Sequence, residues 1–277
     1  MTVQVITDST ADLSKEIQEN LRIRVVPIYV RFGDKIYRDG IDISNEKFYE
    51  MLSLSPVHPA TSQPNPEDFA SVYKEYCDNA EGIVSIHISS RISGTFNSAN
   101  IARKTMKSHC EIEVIDSKFN SGGLALVVLA AARLARDGAS FNEVISEARK
   151  AIREVHMFGM FETMKYLARS GRVSKTIASA SQFLRVMPLL TFHDGEIIRA
   201  GLVRSISKGI DRIQEYVTKH LPLSELIIVH SMVEDKAIHL KKILSNLMPQ
   251  DNISIMQLGS ALGVHGGPGV LLVAVRK

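Results

Sequence analysis

The stretch Gly82-Ile83-Val84-Ser85-Ile86-His87-Ile88, continued by Ser89-Ser90-Arg91-Ile92-Ser93-Gly94-Thr95, decides the fold. Its first half is a short, apolar, β-branched run, the pattern of a buried strand. Its second half is a hydroxyl- and glycine-rich loop that opens a helix near Gly94. The same rhythm extends on both sides. Val3–Thr7 reads as a strand ending in the polar turn Asp8-Ser9-Thr10-Ala11-Asp12, with a helix over Ser14–Leu21 and a second strand over Arg24–Val30. Downstream, Glu111–Ile115 is a strand, a helix spans Ser121–Arg136, and Ser140 with Glu143 forms a capping box for a helix reaching Val155. Strands alternating with helices predict a parallel, layered α/β sheet over residues 1–156. Ligands in such sheets sit outside the carboxyl ends of the strands, where Asp8, the 89–95 loop and Asp116 fall.

Between these elements, Ser44 reads as the cap of a helix through Leu54. Pro56, Pro59, Pro64 and Pro66 exclude helix from Ser53 to Pro66, and Asn65-Pro66-Glu67-Asp68 starts the next one. After residue 156 the pattern changes. Met157–Phe161 is a candidate strand, Val186–Phe192 and Glu196–Val203 flank a hairpin turn at His193-Asp194-Gly195, and Lys208–His220 and Glu234–Leu247 read as helices. Leu226–Val229, Ile253–Leu258 and Val270–Val275 read as strands, the last two enclosing a glycine-rich loop. The expected fold class is therefore α/β in two domains, an N-terminal parallel-sheet α/β domain (1–156) and a C-terminal α+β domain with a mixed sheet (157–277).

Composition excludes several classes. The 277 residues carry 33 basic and 30 acidic side chains, a net charge of +3, with no block of like charge, so no nucleic-acid partner is expected. Cys77 and Cys110 are the only cysteines and have no metal spacing. The most apolar stretch, Leu124 to Leu134, is far shorter than the ~20 residues of a membrane span. The N-terminus enters a strand without a charged n-region and apolar run, and a cytoplasmic location is expected.

Three motifs concentrate donors: Thr61-Ser62-Gln63-Pro64, Ser89 to Thr95, and Gly263-Val264-His265-Gly266-Gly267-Pro268-Gly269. Hydroxyls, backbone N–H groups at a helix start and one histidine suit the holding of an oxyanion. Each also has a plainer reading: Ser93 or Thr95 as a helix cap, Thr61-Ser62 as a solvated turn on a proline-stiffened loop, His265 bonded to a backbone carbonyl. An acyl hydrolase or transferase with Ser93 as nucleophile and His265 as base is the alternative. Against it, the chain has no Gly-x-Ser-x-Gly elbow, and His-Gly-Gly lies at the wrong end for an esterase oxyanion loop. Asp8, Asp12 and Asp116 could serve phosphoryl transfer, but no P-loop accompanies them. Strand-end aspartates more often form turns.

Taken in order, Thr7-Asp8-Ser9-Thr10-Ala11-Asp12-Leu13, Thr61-Ser62-Gln63-Pro64, Ser89 through Ala99, Asp116-Ser117, Ser170-Gly171-Arg172-Val173-Ser174, Pro188-Leu189-Leu190 with Asp194-Gly195, and Leu262 through Gly269 resemble the DegV family of bacterial proteins. The resemblance covers essentially the whole chain. It implies a non-catalytic carrier that buries one long-chain fatty acid at and beside the domain interface, with no other cofactor and no metal. It further implies that the carrier presents the carboxylate to a separate ATP-dependent fatty acid kinase subunit, which forms acyl-phosphate. By the same resemblance, Thr61, Ser93 with the Gly94 amide, and His265 hold the carboxylate. Ser62, Arg172 and Arg204 belong to a head-group network or to kinase docking. Gly266 departs from the family's usual Thr or Ala beside the histidine. Burial of a dozen methylenes at ~0.8 kcal/mol each offsets an association cost of roughly 4–15 kcal/mol. Met160, Phe161, Leu167, Phe183, Leu184 and Met187 are candidate walls, which core packing explains equally well.

Overall fold

The computed structural model describes residues 3–106, 110–171 and 186–277. The first strand, β1 (Gln4–Asp8), leads through a single 3-10 turn (Ser9–Ala11) to α1 (Lys15–Asn20), capped by Ser14. Next come β2 (Arg24–Val26), the hairpin β3 (Tyr29–Phe32) and β4 (Lys35–Arg38), α2 (Asn45–Leu54) and β5 (Ala60–Ser62). The expected strand over Arg24–Val30 is thus two strands in different sheets. Pro27, with no N–H to give a ladder, stands at the break. The remaining alternation matches expectation: α3 (Pro66–Cys77), β6 (Gly82–His87), α4 (Thr95–Thr105), β7 (Glu111–Asp116), α5 (Ser121–Arg136) and α6 (Phe141–Glu154). Strands β2-β1-β6-β7 form an all-parallel sheet, and β4-β3-β5 a small antiparallel one.

The second half contributes β8 (Val155–Met160), α7 (Lys165–Ser170), the hairpin β9 (Met187–His193) and β10 (Glu196–Val203), α8 (Ile206–His220), β11 (Glu225–His230), α9 (Glu234–Leu244), β12 (Ile253–Gln257), α10 (Ser260–Gly266) and β13 (Leu271–Arg276). Its six-stranded sheet has the order β10-β9-β8-β13-β11-β12; β11 and β12 pair in parallel and the other neighbours antiparallel.

Helix α5 explains how the two halves join. Every residue from Ser121 to Ala132 is buried, and the helix lies against β1 and β6 on one side and β8, β11 and β13 on the other. Gly122 and Gly123 permit this. A β-carbon at Gly122 would stand 3.1 Å from both Ala274 and Val229, and one at Gly123 would stand 2.4 Å from the Met157 sulfur. The apolar run that is too short for a membrane is the central core helix, and among the described residues no helix is long and apolar enough to cross a membrane. Amphipathic α6 covers it with Val144, Ile145, Ala148 and Ala151, the i, i+1, i+4, i+7 stripe of a one-sided helix.

Candidate functional site

A cavity of about 370 Å³ opens where the carboxyl ends of β1 and β6 meet the six-stranded sheet. Ile28, Ile88 and Ile92 line it from the first half, and Phe158, Phe161, Leu167, Leu190, Phe192, Ile197 and Leu272 from the second. Its polar lining is drawn from Thr10, Thr61, Ser62, Gln63, Ser93, Gly94, Asn120, Ser121 and His265. The three donor-rich motifs therefore converge on one chamber, as expected of strand ends in an open sheet.

Thr61 is not on a loop. It belongs to β5, where it pairs with Val30 of β3, so a sheet rather than proline stiffness fixes it. Thr61 Oγ1 lies 2.8 Å from His265 Nε2. Ser62, next along the edge, is exposed at the cavity rim. Gln63 turns back to donate from Nε2 to Ser98 Oγ at 3.1 Å, which docks this motif on α4.

In the 89–95 loop the serines divide their labour. Ser89 Oγ donates to the Gly195 carbonyl at 2.7 Å, tying the β9–β10 turn to the parallel sheet. Ser90 Oγ donates to Asp116 Oδ2. Ser93 faces the cavity while its Oγ lies 2.9 Å from Thr95 Oγ1 and accepts from the Thr95 amide at 3.3 Å. The cap reading and the lining reading of Ser93 both hold. Gly94 is the N-cap of α4 and offers no side chain to the first-turn amides, leaving the positive end of an 11-residue helix at the chamber.

The glycine-rich segment is the larger correction. Ser260–Gly266 is helix α10, not loop, and His265 occupies its last turn. The glycines serve packing: a β-carbon at Gly263 would meet Phe48 at 2.5 Å and the Tyr49 hydroxyl at 2.9 Å. Gly267 ends the helix at φ 70°, against the ring of Tyr166. Both helix ends are pinned. Ser231 Oγ donates to the Gly267 carbonyl at 2.7 Å and accepts from the Val270 amide at 2.9 Å. At the other end, Asp12 Oδ1 accepts from the Gly259 amide at 2.9 Å, and Tyr49 donates to the Leu258 carbonyl at 3.1 Å.

Tautomer decides what the Thr61–His265 pair can do. If Nε2 carries the proton, it donates to Thr61 Oγ1 and leaves the threonine hydroxyl proton to donate onward. A carboxylate in the chamber selects this arrangement, because it can only accept. Nearby, burial lowers the pKa of His58, assisted by the cations Arg169 and Lys165. A neutral imidazole results, stacked obliquely near Tyr166.

Other candidates fall elsewhere. Arg204 is exposed just beyond β10 and does not line the chamber. Arg172, Phe183 and Leu184 lie outside the described residues. Of the remaining candidate walls, Phe161 and Leu167 line the chamber, whereas Met160 faces α8, its sulfur 2.0 Å from where a Gly209 β-carbon would be, and Met187 packs with that same cluster. The aspartates are turn formers. Asp8 caps the 3-10 turn through the Thr10 amide and pairs with His87 Nδ1 at 3.0 Å, and Asp116 holds the Ser90 and Lys118 amides. Among the described residues no cluster of three His, Cys, Asp or Glu is arranged for a metal. The residues missed by sequence reasoning are Thr10, Asn120 and Ser121, each at a strand end or helix start; Thr10 and Ser121 lie within or beside quoted motifs.

Comparison with known proteins points to one family. The family model described as "Uncharacterised protein, DegV family" matches residues 2–277. Protein DegV of Bacillus subtilis is 32% identical over 276 residues, covering 98% of each chain. A DegV family protein of Thermus thermophilus, described as fatty-acid binding, superposes with a TM-score of 0.91 at 30% identity over 100% of both chains. A stearic-acid-binding protein of Eubacterium ventriosum superposes with a TM-score of 0.89 at 27% identity, over 99% of this chain and 98% of the other.

Proposed function

The chain belongs to the DegV family, and on that premise we propose that it is a carrier of one long-chain fatty acid. The acyl chain lies in the apolar chamber, and Thr61, Ser93 with the Gly94 amide, and His265 hold the carboxylate. The single observation that carries this reading is the 2.8 Å Thr61–His265 pair at the polar end of that chamber, beside Ser93 and Gly94. Neutral hydroxyls, a helix N-terminus and one imidazole bind an anion with directed donors and little fixed charge. They suit a carboxylate that must later be handed on. The solved relatives described as fatty-acid or stearic-acid binding support the ligand class.

The finer part of the proposal is that the exposed rim, with Ser62 and, further out, Arg204, faces an ATP-dependent kinase subunit that phosphorylates the held carboxylate. Arg172 is assigned to the same network by family resemblance. Ser93 Oγ is engaged by Thr95 and His265 Nε2 by Thr61, which fits a binding site better than a nucleophile–base pair.

Native mass spectrometry of the purified protein tests the reading. An intact fatty acid of one chain-length class supports it, as does acyl-phosphate formation when the loaded protein is mixed with the kinase and ATP. Turnover of an acyl ester by the protein alone, abolished by Ser93→Ala, overturns it.

A further inference from the structure

The start of the His265 helix is held by acids that reach it from the other half of the molecule. Asp12, at φ 53° after the first 3-10 turn, accepts from the Gly259 amide through Oδ1 and from Ser121 Oγ at 2.6 Å through Oδ2. Asp39, buried just after β4, stands at the same helix end, its Oδ2 3.8 Å from where a Gly259 β-carbon would be, and donors on Ser9, Ser260 and Ala261 act on its carboxyl. Two carboxyl groups thus converge on the start of α10, and Asp12 binds its cap amide directly. A β-carbon at Gly259 would stand 2.7 Å from Asp12 Oδ1, so the approach is as close as a glycine allows. One rigid turn and a half later the same helix presents His265 to Thr61.

We propose that Asp12 and Asp39 are positioning residues for the carboxylate site: by gripping the first amides of α10 they set where His265 meets Thr61. The inference rests on the fatty-acid reading above for its functional meaning. His265 is not attached to β5 by any shared element; α10 comes from the second half of the chain and β5 from the first. A hydroxyl–imidazole contact of 2.8 Å between them therefore depends on what locks α10 to the first half. Asp12 and Asp39 lie on the first half; Asp12 binds the helix end directly and Asp39 stands against it.

The two acids differ in a way that sharpens the test. Crowded burial, reinforced by Asp39 and Asp8, raises the Asp12 carboxyl to about 8, so at neutral pH it keeps its proton. Asp39 is raised less, to about 6, because the Ser9 hydroxyl and the α10 donors oppose its burial. At neutral pH it is an ionised acceptor beside the donors that begin α10, a role that the NH₂ group of asparagine cannot fill.

The full-length protein is examined by imidazole ¹⁵N NMR without ligand, and by titration with stearate and with stearyl alcohol. Thr61→Val provides the His265 signal with its hydrogen bond removed. Asp39→Asn and Asp12→Ala are expected to move the His265 Nε2 resonance toward that reference. Both should weaken stearate about tenfold, equivalent to ~1.4 kcal/mol, while the alcohol, which lacks the carboxylate, changes by no more than about twofold. A folded Asp39→Asn with an unmoved His265 signal overturns the proposal, and so does equal weakening of acid and alcohol. Loss of fold in both Asp39→Asn and Asp12→Ala makes the acids merely structural and also overturns it. If the unaltered protein binds neither probe, the fatty-acid reading fails, while the NMR comparison still decides whether the acids position His265.

Discussion

The side-chain amide of Gln63 lies directly over the α-carbon of Gly94, so that a β-carbon there would stand 2.0 Å from Gln63 Oε1. Two motifs thirty residues apart in the chain are thereby keyed together at the rim of the chamber. Gly94 has φ −76° and ψ 2°, a conformation open to alanine, so Gly94→Ala perturbs only the contact. The flexible Gln63 swings away and surrenders its bond to Ser98, costing about 0.5–1.5 kcal/mol. Adding Gln63→Ala removes the clash. The double variant should therefore be more stable than the sum of the single changes, as a double-mutant cycle by urea denaturation would measure.

Thr61→Val keeps the shape of β5 and removes the hydroxyl that faces His265. Leaving the part-buried imidazole without that partner costs about 1 kcal/mol of stability. Fatty-acid affinity, followed by isothermal titration, should fall by about tenfold, the loss of one charge-assisted hydrogen bond.

Stability should decline as pH rises from about 7.5 to about 8.5, the interval above the ordinary His range in which Asp12 releases its proton. In the folded protein Asp12 holds its proton up to about 8, against an ordinary value of 3.8, because of desolvation and the neighbouring Asp39 and Asp8. Folding therefore binds a proton in this interval; the stabilisation is complete below the unfolded pKa and is lost through the folded one. Asp39, raised to about 6, acts likewise at lower pH. There it is opposed by His58, His156 and His230, whose burial lowers their pKa and so favours folding as pH rises toward 6.5. Above about pH 7.5 these histidines are neutral in both states. Denaturation midpoints between about pH 7.5 and about 8.5 should fall for the unaltered protein and stay level for Asp12→Asn.

Ser89→Ala should cost about 1–3 kcal/mol, because it strands the Gly195 carbonyl against a fully buried position. Gly195→Ala should cost at least as much. Its φ of 83° disfavours any side chain, and its β-carbon would stand 2.5 Å from Ser89 Oγ. Thermal denaturation of each variant checks both values.

Local patterns carried most of the fold into view. The cap at Ser14, the capping boxes at Asn65 and Ser140 and the Asp194-Gly195 hairpin turn all stand where their chemistry places them. What local pattern could not show was set by distant partners. Arg24–Val30 had the composition of one strand, and its division at Pro27 follows from two sheets claiming its ends. Gly263–Gly269 reads as loop because glycine disfavours helix, yet Phe48, Tyr49 and Tyr166 press so closely that only glycine fits there. The convergence of Thr61, Ser93 and His265 on one chamber was legible through family resemblance. The roles of Asp12 and Asp39 were not, since their partners at Gly259 to Ala261 lie more than two hundred residues away.

Because α5 is clad by a sheet on either flank, neither half owns it. Prising the sheets apart would wet an entire greasy cylinder from Ser121 to Ala132, at about 25 cal/mol for every Å² bared. Melting should therefore proceed as a single event, with calorimetric and van't Hoff enthalpies in agreement. On the proposed carrier reading, a fatty acid enters and leaves by small displacements near the rim, with that spine undisturbed.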